Sequence, residues 1–271
     1  MVQISRITTQ KKSKHRYNIF LNDGKKEFYG FSVDEDILIK EHLHKGMELD
    51  QAKIDSLQDK DATHKLYTLS LHYLSYRMRS EKELLDYLKK KEVPLETVSE
   101  VMDRLKEEGL LDDKAFAVAL INTRILTTSK GPLLIKKELI EKGVDRLIIE
   151  EVIPLYTFDK QYEKVLKLIE KKSNFNEKKS YKEQLDRLKL NLMQKGFSND
   201  VIQEALASAS PEKDNEAEYQ AVVFQGEKAL QKYSRKSQGF ELKHKVKSAL
   251  YRKRFSAELI DRFIEEYVEN E

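Results

Sequence analysis

Six cations fall within twelve positions near the C-terminus, Lys243, Lys245, Lys247, Arg252, Lys253 and Arg254, with Arg235 and Lys236 shortly before them. Such a cluster is suited to binding phosphate, because each side-chain cation that displaces a condensed counterion from a polyanion adds to affinity. A second basic run, Lys11, Lys12, Lys14 and Arg16, lies near the N-terminus. Groups suited to catalysis are sparse. Among 6 histidines only His42 and His44 are close, and at i, i+2 on a helix they point to different faces, a poor arrangement for sharing one metal ion. The carboxylate pairs Glu107-Glu108 and Asp112-Asp113 sit where one helix should end and the next begin, the usual place for a capping Asp. The sequence contains no glycine-rich loop ending in Gly-Lys-Ser/Thr, no Gly-x-Gly-x-x-Gly, no Gly-x-Ser-x-Gly and no His-Glu-x-x-His. With 0 Cys, thiol catalysis, thiolate metal sites and disulfides are excluded. The residues predict a protein that is not an enzyme and uses no cofactor and no metal.

The elements that position these cations follow from composition and period. The 271 residues carry 50 Lys+Arg against 47 Asp+Glu, so the net charge of +3 is a small difference between interleaved populations, not that of a bulk polycation. Hydrophobic residues make up 39%, enough to build cores, while 9 Gly and 4 Pro are few and predict a mainly helical chain. No apolar block has the length of a signal peptide or a membrane span, and absence of Cys suits a reducing compartment, so a soluble, cytoplasmic protein without membrane contact is expected.

Residues 1–60 read as a small β-rich lobe. Tyr17, Ile19 and Leu21 alternate, Asn22-Asp23-Gly24 turns, and Glu27 to Phe31 resumes as an aromatic-rich strand; Val2 to Thr9 supplies a third strand and Met47 to Leu49 one more. Ser32 with Glu35 predicts a capping box opening a short helix that Lys45-Gly46 closes. From about Asp61 the period becomes 3.6. Leu66, Leu69, Tyr73 and Tyr76 stripe a first helix, Ser80 to Glu83 is a capping box for a second, and Val98, Val101, Met102 and Leu105 stripe a third that ends at Gly109. Of the 13 Tyr and 11 Phe, those at helical spacing are read as core.

A junction then recurs. Leu88 to Val93, Leu139 to Val144, Leu192 to Phe197 and Leu250 to Phe255 share a Leu, a Lys three later and an apolar residue five later, followed by Val98, Ile149, Ile202 and Ile260 at one fixed offset. Gly143 and Gly196 permit the left-handed residue that ends a helix, whereas Glu92 and Arg254 replace Gly and should turn their corners another way. The fold class expected is mainly α: tandem three-helix repeats over 61–111, 112–158, 159–210 and 211–271, stacked into an elongated array behind the lobe. Ser208 to Asp214 is the expected hinge.

Charge sorts by helix. The third helices, over 96–108, 145–156, 200–209 and 256–269, are acidic, with nets of −3, −2, −2 and −4. The second helices, over 81–91, 133–142, 181–195 and 241–254, are basic, with nets of +1, +1, +2 and +5. A helix-turn-helix mode that places the third helix in a groove is rejected, since phosphate would repel it in every repeat. A bound polyanion should follow the second helices, most strongly in the fourth repeat. The competing reading of these charges is simple solubilisation by Lys and Glu at i, i+4.

The run Leu74 to Leu84, then Gly109-Leu110-Leu111-Asp112-Asp113-Lys114-Ala115-Phe116-Ala117, Asn122-Thr123-Arg124, Lys130-Gly131-Pro132 and Ile135 to Val144, resembles the RecX family of bacterial regulatory proteins. The match is most specific over about residues 62–157, and the remaining repeats with the lobe resemble the longer Gram-positive members. Each motif is weak alone; their order and spacing are specific together. The resemblance implies a non-enzymatic modulator that binds the RecA recombinase and its nucleoprotein filament on single-stranded DNA and inhibits ATP hydrolysis and strand exchange; double-stranded DNA is a further expected partner, and a monomer is expected because no long heptad or bare apolar helix demands a partner copy. By motif position the resemblance implies Arg77, Arg79, Arg124, Lys136, Lys137 and Lys142 as interacting cations, and Ser80, Gly109, Asp112, Phe116, Gly131, Leu139 and Gly143 as caps, corners and core. Two other readings remain open at this point: a stand-alone DNA-binding helical repeat protein, and a scaffold for an acidic protein partner.

Overall fold

The structure, a computed structural model, describes residues 1–11, 13–91, 93–171, 176–209 and 214–268. It separates into two compact units, Met1–Ala117 with Leu139–Ile149, and Val118–Glu138 with Glu150–Glu271. The fold is mostly helical, with a small N-terminal sheet followed by tandem three-helix repeats.

Strands β1 (Val2–Thr9), β2 (Arg16–Asn22), β3 (Glu27–Asp34) and β4 (Glu48–Leu49) form an antiparallel sheet in the order β3-β2-β1-β4. Alternation builds its core: Ile4, Ile19, Leu21, Phe31 and Val33 are buried with Leu49. The turn between β2 and β3 is held by its own side chains, with Asn22 accepting from Gly24 N–H at 2.8 Å and Asp23 accepting from Lys25 N–H at 2.9 Å. Helix α1 (Glu35–Lys40) is not capped by Ser32. Pairing of β3 with β2 continues to Asp34, so Ser32 stays in the strand, where its hydroxyl accepts from Arg16 at 3.0 Å, and Asp34 caps α1 instead. Nor do Lys45-Gly46 close that helix, since α1 ends at Lys40 and the chain turns at His42, φ +51°.

Helix α2 (Gln51–Ser75) starts well before Asp61, with Asp50 accepting from Lys53 N–H at 2.7 Å. Its first half buries only Ile54, Leu57 and Asp61, which is why the apolar period is faint there. Asp61 accepts from Arg16 at 2.8 Å, Lys65 at 2.9 Å and Asp34 N–H at 2.8 Å, tying the sheet to this helix. Burial opposes its ionisation, yet these donors hold its carboxyl below the usual range. Tyr76 leaves the expected stripe: it stands just past α2, 72% exposed, with its ring against His72.

The repeats continue with α3 (Glu81–Lys89) and α4 (Leu95–Glu107); α5 (Asp113–Thr127), α6 (Pro132–Glu141) and α7 (Arg146–Val152); α8 (Phe158–Glu170), α9 (Tyr181–Gln194) and α10 (Asn199–Ala209); and α11 (Asn215–Tyr233), α12 (Gly239–Arg252) and α13 (Ala257–Tyr267). Every apolar pair at the fixed offset is buried: Leu88 with Val98, Leu139 with Ile149, Leu192 with Ile202, Leu250 with Ile260. The Ser80–Glu83 capping box forms as expected, and Asp112 caps α5 by accepting from Lys114 and Ala115 N–H.

The corners at Gly143 and Gly196 are Schellman motifs. Val144 N–H reaches Leu139 O at 3.2 Å with Gly143 at φ +81°, and Phe197 N–H reaches Leu192 O at 3.3 Å with Gly196 at φ +88°. Leu and the apolar residue five later are the two positions whose side chains meet in that motif, which is why the spacing repeats. Arg254 departs from expectation: it takes φ +68°, so the fourth corner turns the same way without Gly. Buried Leu250 and Phe255 on either side hold it there against a cost of about 1–2 kcal/mol. Glu92 lies outside the described residues, as do 210–213 of the expected hinge.

These corners also join consecutive repeats. The Ser80 hydroxyl donates to Lys142 O at 2.7 Å, Gly131 N–H donates to Lys195 O at 2.7 Å with Leu133 N–H donating to Gly196 O at 3.1 Å, and the Ser180 hydroxyl donates to Arg254 O at 3.2 Å. In each joint, carbonyls left over at the end of one second helix meet donors at the start of the second helix in the preceding repeat. The first N–H of α3 goes to Asp113 and that of α9 to Glu218, each at 2.8 Å, whereas α6 begins with Pro132, which has none to satisfy.

Candidate nucleic-acid interface

The cations implied by motif position are largely engaged within the protein. Arg77 makes a two-pronged ion pair with Glu83 at 2.9 and 3.1 Å, and Lys142 meets the same carboxylate at 2.5 Å. Burial works against ionisation of Glu83, but hydrogen bonds from Arg77 and Lys142 outweigh it and carry the carboxyl down to about 2. Arg124 grips Glu138 at 2.6 Å with Lys130 at 2.7 Å beside it; the Arg124 hydrogen bond, against burial, takes Glu138 to about 2. Lys136 pairs with Glu150 at 2.5 Å. The Arg79 guanidinium lies 4.2 Å from the Tyr73 ring centre, itself stacked on Tyr87. Of these six, Lys137 is exposed and has no side-chain partner among the described residues.

The fourth repeat differs. Arg235, Lys236, Arg252 and Lys253 are exposed, without side-chain partners among the described residues. Lys243 is half-buried, Lys245 meets Glu241 at 2.7 Å and Ser237 at 2.8 Å, Lys247 meets Asp261 at 2.7 Å, and Arg254 faces Asp186 at 3.8 Å. Between α12 and α13 runs a groove of about 670 Å³, lined from α12 by His244, Lys245, Lys247, Ser248, Tyr251 and Arg252 and from α13 by Ala257, Ile260 and Asp261. These α12 positions follow helical spacing, so one face of one helix supplies that wall. The expectation that aromatics are core does not extend to two rings of α12: Phe240 is 85% and Tyr251 68% exposed, both off the stripe of Val246 and Leu250 that α12 buries. Their displacement from that stripe was the available sign.

The N-terminal basic run is divided among the described residues. Arg16 turns inward to Asp61, Lys12 lies outside the described residues, and Lys11 and Lys14 remain near the surface. His42 and His44 sit in the turn after α1 rather than on a helix, with His44 Nδ1 2.8 Å from His42 O. A grouping with metal-like spacing, Asp34, Asp36 and His64, brings its ligand atoms within 4.8 Å of one another; there Asp34 already caps α1 and lies 3.4 Å from His64. Among the described residues no helix is long and apolar enough to cross a membrane.

Family models match in order along the chain: the regulatory protein RecX N-terminal domain over residues 2–50, the RecX first three-helix domain over 67–105, the second over 112–153, and the third over both 159–206 and 216–264. The chain belongs to the RecX family. A regulatory protein RecX from Oceanobacillus iheyensis is 49% identical over 273 residues, covering 100% of both chains, and one from Halalkalibacterium halodurans is 44% identical, covering 97% of this chain and 99% of that one. A crystal structure of regulatory protein RecX superposes with a TM-score of 0.65 at 35% identity, covering 75% of this chain and 100% of the other. Within this RecX chain the third-domain model matches twice, in agreement with the repeat read from the corners at Leu192 and Leu250. The relatives are named as regulatory proteins, not as enzymes.

Proposed function

We propose that this RecX chain binds the RecA recombinase and its filament on single-stranded DNA and lowers ATP hydrolysis and strand exchange, acting in the cytoplasm as a monomer and catalysing no reaction itself. The observation that carries this reading is the complete order of RecX domains over a chain aligned end to end with regulatory relatives. The basic end of α12 supports the DNA contact, since Arg252 and Lys253, which have no side-chain partner among the described residues, can replace counterions on phosphate. Within the other repeats, Lys137 and Arg79 are the motif cations without an ion pair among the described residues, Arg79 lying over the Tyr73 ring, and the pairs at Glu83 and Glu138 would exchange a carboxylate for a partner's acidic group.

The test is ATP hydrolysis by the cognate recombinase on single-stranded DNA, with this chain titrated from far below to equal molar amounts. Hydrolysis should fall at substoichiometric ratios. Full hydrolysis at equimolar protein, with DNA binding intact, overturns the reading in favour of a stand-alone DNA binder. A variant with Lys243, Lys245, Lys247 and Arg252 changed to Glu should lose salt-sensitive DNA binding, whose logarithmic slope is about −0.7 per phosphate contact on single strands.

A further inference from the structure

We infer that the groove between α12 and α13 seats one unpaired strand of nucleic acid, with Tyr251 stacking on a base, Arg252 meeting phosphate, and Asp261 restraining affinity by occupying Lys247. The inference rests on the reading that this chain meets single-stranded DNA and adds the groove that holds the strand and the residues that do so.

Three observations converge. The first is the exposed rings. Phe240, His244, Lys247 and Tyr251 share one face of α12, so two large aromatic rings eleven residues apart bracket a histidine and a lysine. That interleaving of ring and cation serves unpaired strands, whose bases offer free faces, and is of no use to a duplex, whose bases are already stacked. The second is volume: about 670 Å³ lies in the range of pockets that enclose a small organic ligand, enough for a nucleotide with its base turned inward over Ala257 and Ile260.

The third is the asymmetry of the walls. The α12 wall carries Lys245, Lys247 and Arg252, while the charged residue of the α13 wall is Asp261. A duplex presents phosphates on both flanks, and one flank would meet Asp261. A single strand can lay its one backbone along α12 and turn its bases toward the rings. Across the groove, Lys247 and Asp261 meet at 2.7 Å with side chains 47% and 54% exposed. Such a solvated pair is weak enough for a phosphate to displace the carboxylate, which makes Asp261 a competitor for the ligand and not a buttress of the fold.

The experiment is fluorescence anisotropy of the full chain with a labelled oligothymidylate and, separately, with a hairpin duplex of equal nucleotide number, both at low salt. Stacking predicts that Tyr251→Ala weakens oligothymidylate binding on the order of tenfold, while Tyr251→Phe keeps it within about twofold. Asp261→Asn should tighten binding, a direction that loss of a structural salt bridge would not produce. The hairpin should bind more weakly than the single strand. Unchanged binding by Tyr251→Ala, or tighter binding of the hairpin than of the single strand, overturns the inference. Thermal unfolding of each variant shows that the fold is kept. The recombinase assay on the wild-type chain reads the proposed function separately: inhibition without a Tyr251 effect removes the groove alone, and a Tyr251 effect without inhibition removes the recombinase reading alone.

Discussion

Replacing Gly131 by Ala puts a methyl carbon 2.5 Å from the carbonyl carbon and oxygen of Gly196 and 2.6 Å from Phe197 N. All three are backbone atoms of the α9 corner, so no flexible side chain can swing aside. Relief requires the α6–α9 joint to open. That weakens the hydrogen bonds from Gly131 N–H to Lys195 O at 2.7 Å and from Leu133 N–H to Gly196 O at 3.1 Å. At about 0.5–1.5 kcal/mol net for each bond, and more where a donor stays buried and unpaired, the loss is about 2–4 kcal/mol. Gly109→Ala is the control. Gly109 has φ +68° with nothing within 4 Å of an added Cβ, so its substitution costs only backbone strain, about 1–2 kcal/mol. Urea unfolding followed by circular dichroism gives the global effect, and amide exchange at Leu133 reads the joint itself, because the compact units can open separately. Leu133 exchange should accelerate in Gly131→Ala and stay unchanged in Gly109→Ala. A Gly131→Ala variant no less stable than Gly109→Ala, with Leu133 still protected, would refute the account of the joint.

Other expectations follow from the same contacts. Arg254→Gly should stabilise the chain by about 1 kcal/mol, because Gly takes φ +68° without strain and the exposed 3.8 Å pair with Asp186 contributes little; a lower urea midpoint would show that the Arg254 side chain matters more than the corner. Acid should destabilise the protein in a defined window. Glu83 and Glu138 sit at about 2 against an ordinary 4.5, so the stability from their charged forms is complete above about pH 4.5 and is lost as pH falls toward 2. Melting temperatures recorded from pH 6 to pH 3 should therefore decline, and Glu83→Gln with Glu138→Gln should flatten that decline while lowering stability at pH 7.

What was legible in the sequence was what is local in the structure. The corner spacing could be read because a Schellman motif is closed by residues five apart, and the β2–β3 turn because Asn22 and Asp23 bond to their own neighbours. Asp34 as the cap of α1 could not, since strand pairing decides whether Ser32 or Asp34 is the last extended residue. The early start of α2 was hidden because Asp61, a buried carboxylate, fills a position where an apolar residue would have marked the face. In the site, the cation cluster was visible from composition, but its partners were not: Glu138 is remote from Arg124 in sequence by 14 residues and Glu83 from Lys142 by 59.

Those partners bear on where a polyanion can be held. At the start of α6 the main-chain donors Gly131 N–H and Leu133 N–H go to the corner of the following repeat, and at α3 and α9 the first N–H goes to Asp113 and Glu218, so donors that elsewhere welcome phosphate are already taken. Anion contacts along these helices must come from side chains, and Arg77, Arg124, Lys136 and Lys142 are each tied to a carboxylate. Phosphate gains less from a cation that must first leave a partner, since the exchange replaces one ion pair by another. In α12 the cap Gln238 makes no side-chain cap bond, and Arg252 and Lys253 are unpaired among the described residues. Charge reversal of one side chain should therefore weaken oligonucleotide binding more at Arg252 than at Arg124. Because Arg124→Glu also breaks the clamp on Glu138, it should lower thermal stability where Arg252→Glu does not, and the opposite pattern would move the DNA contact out of the fourth repeat.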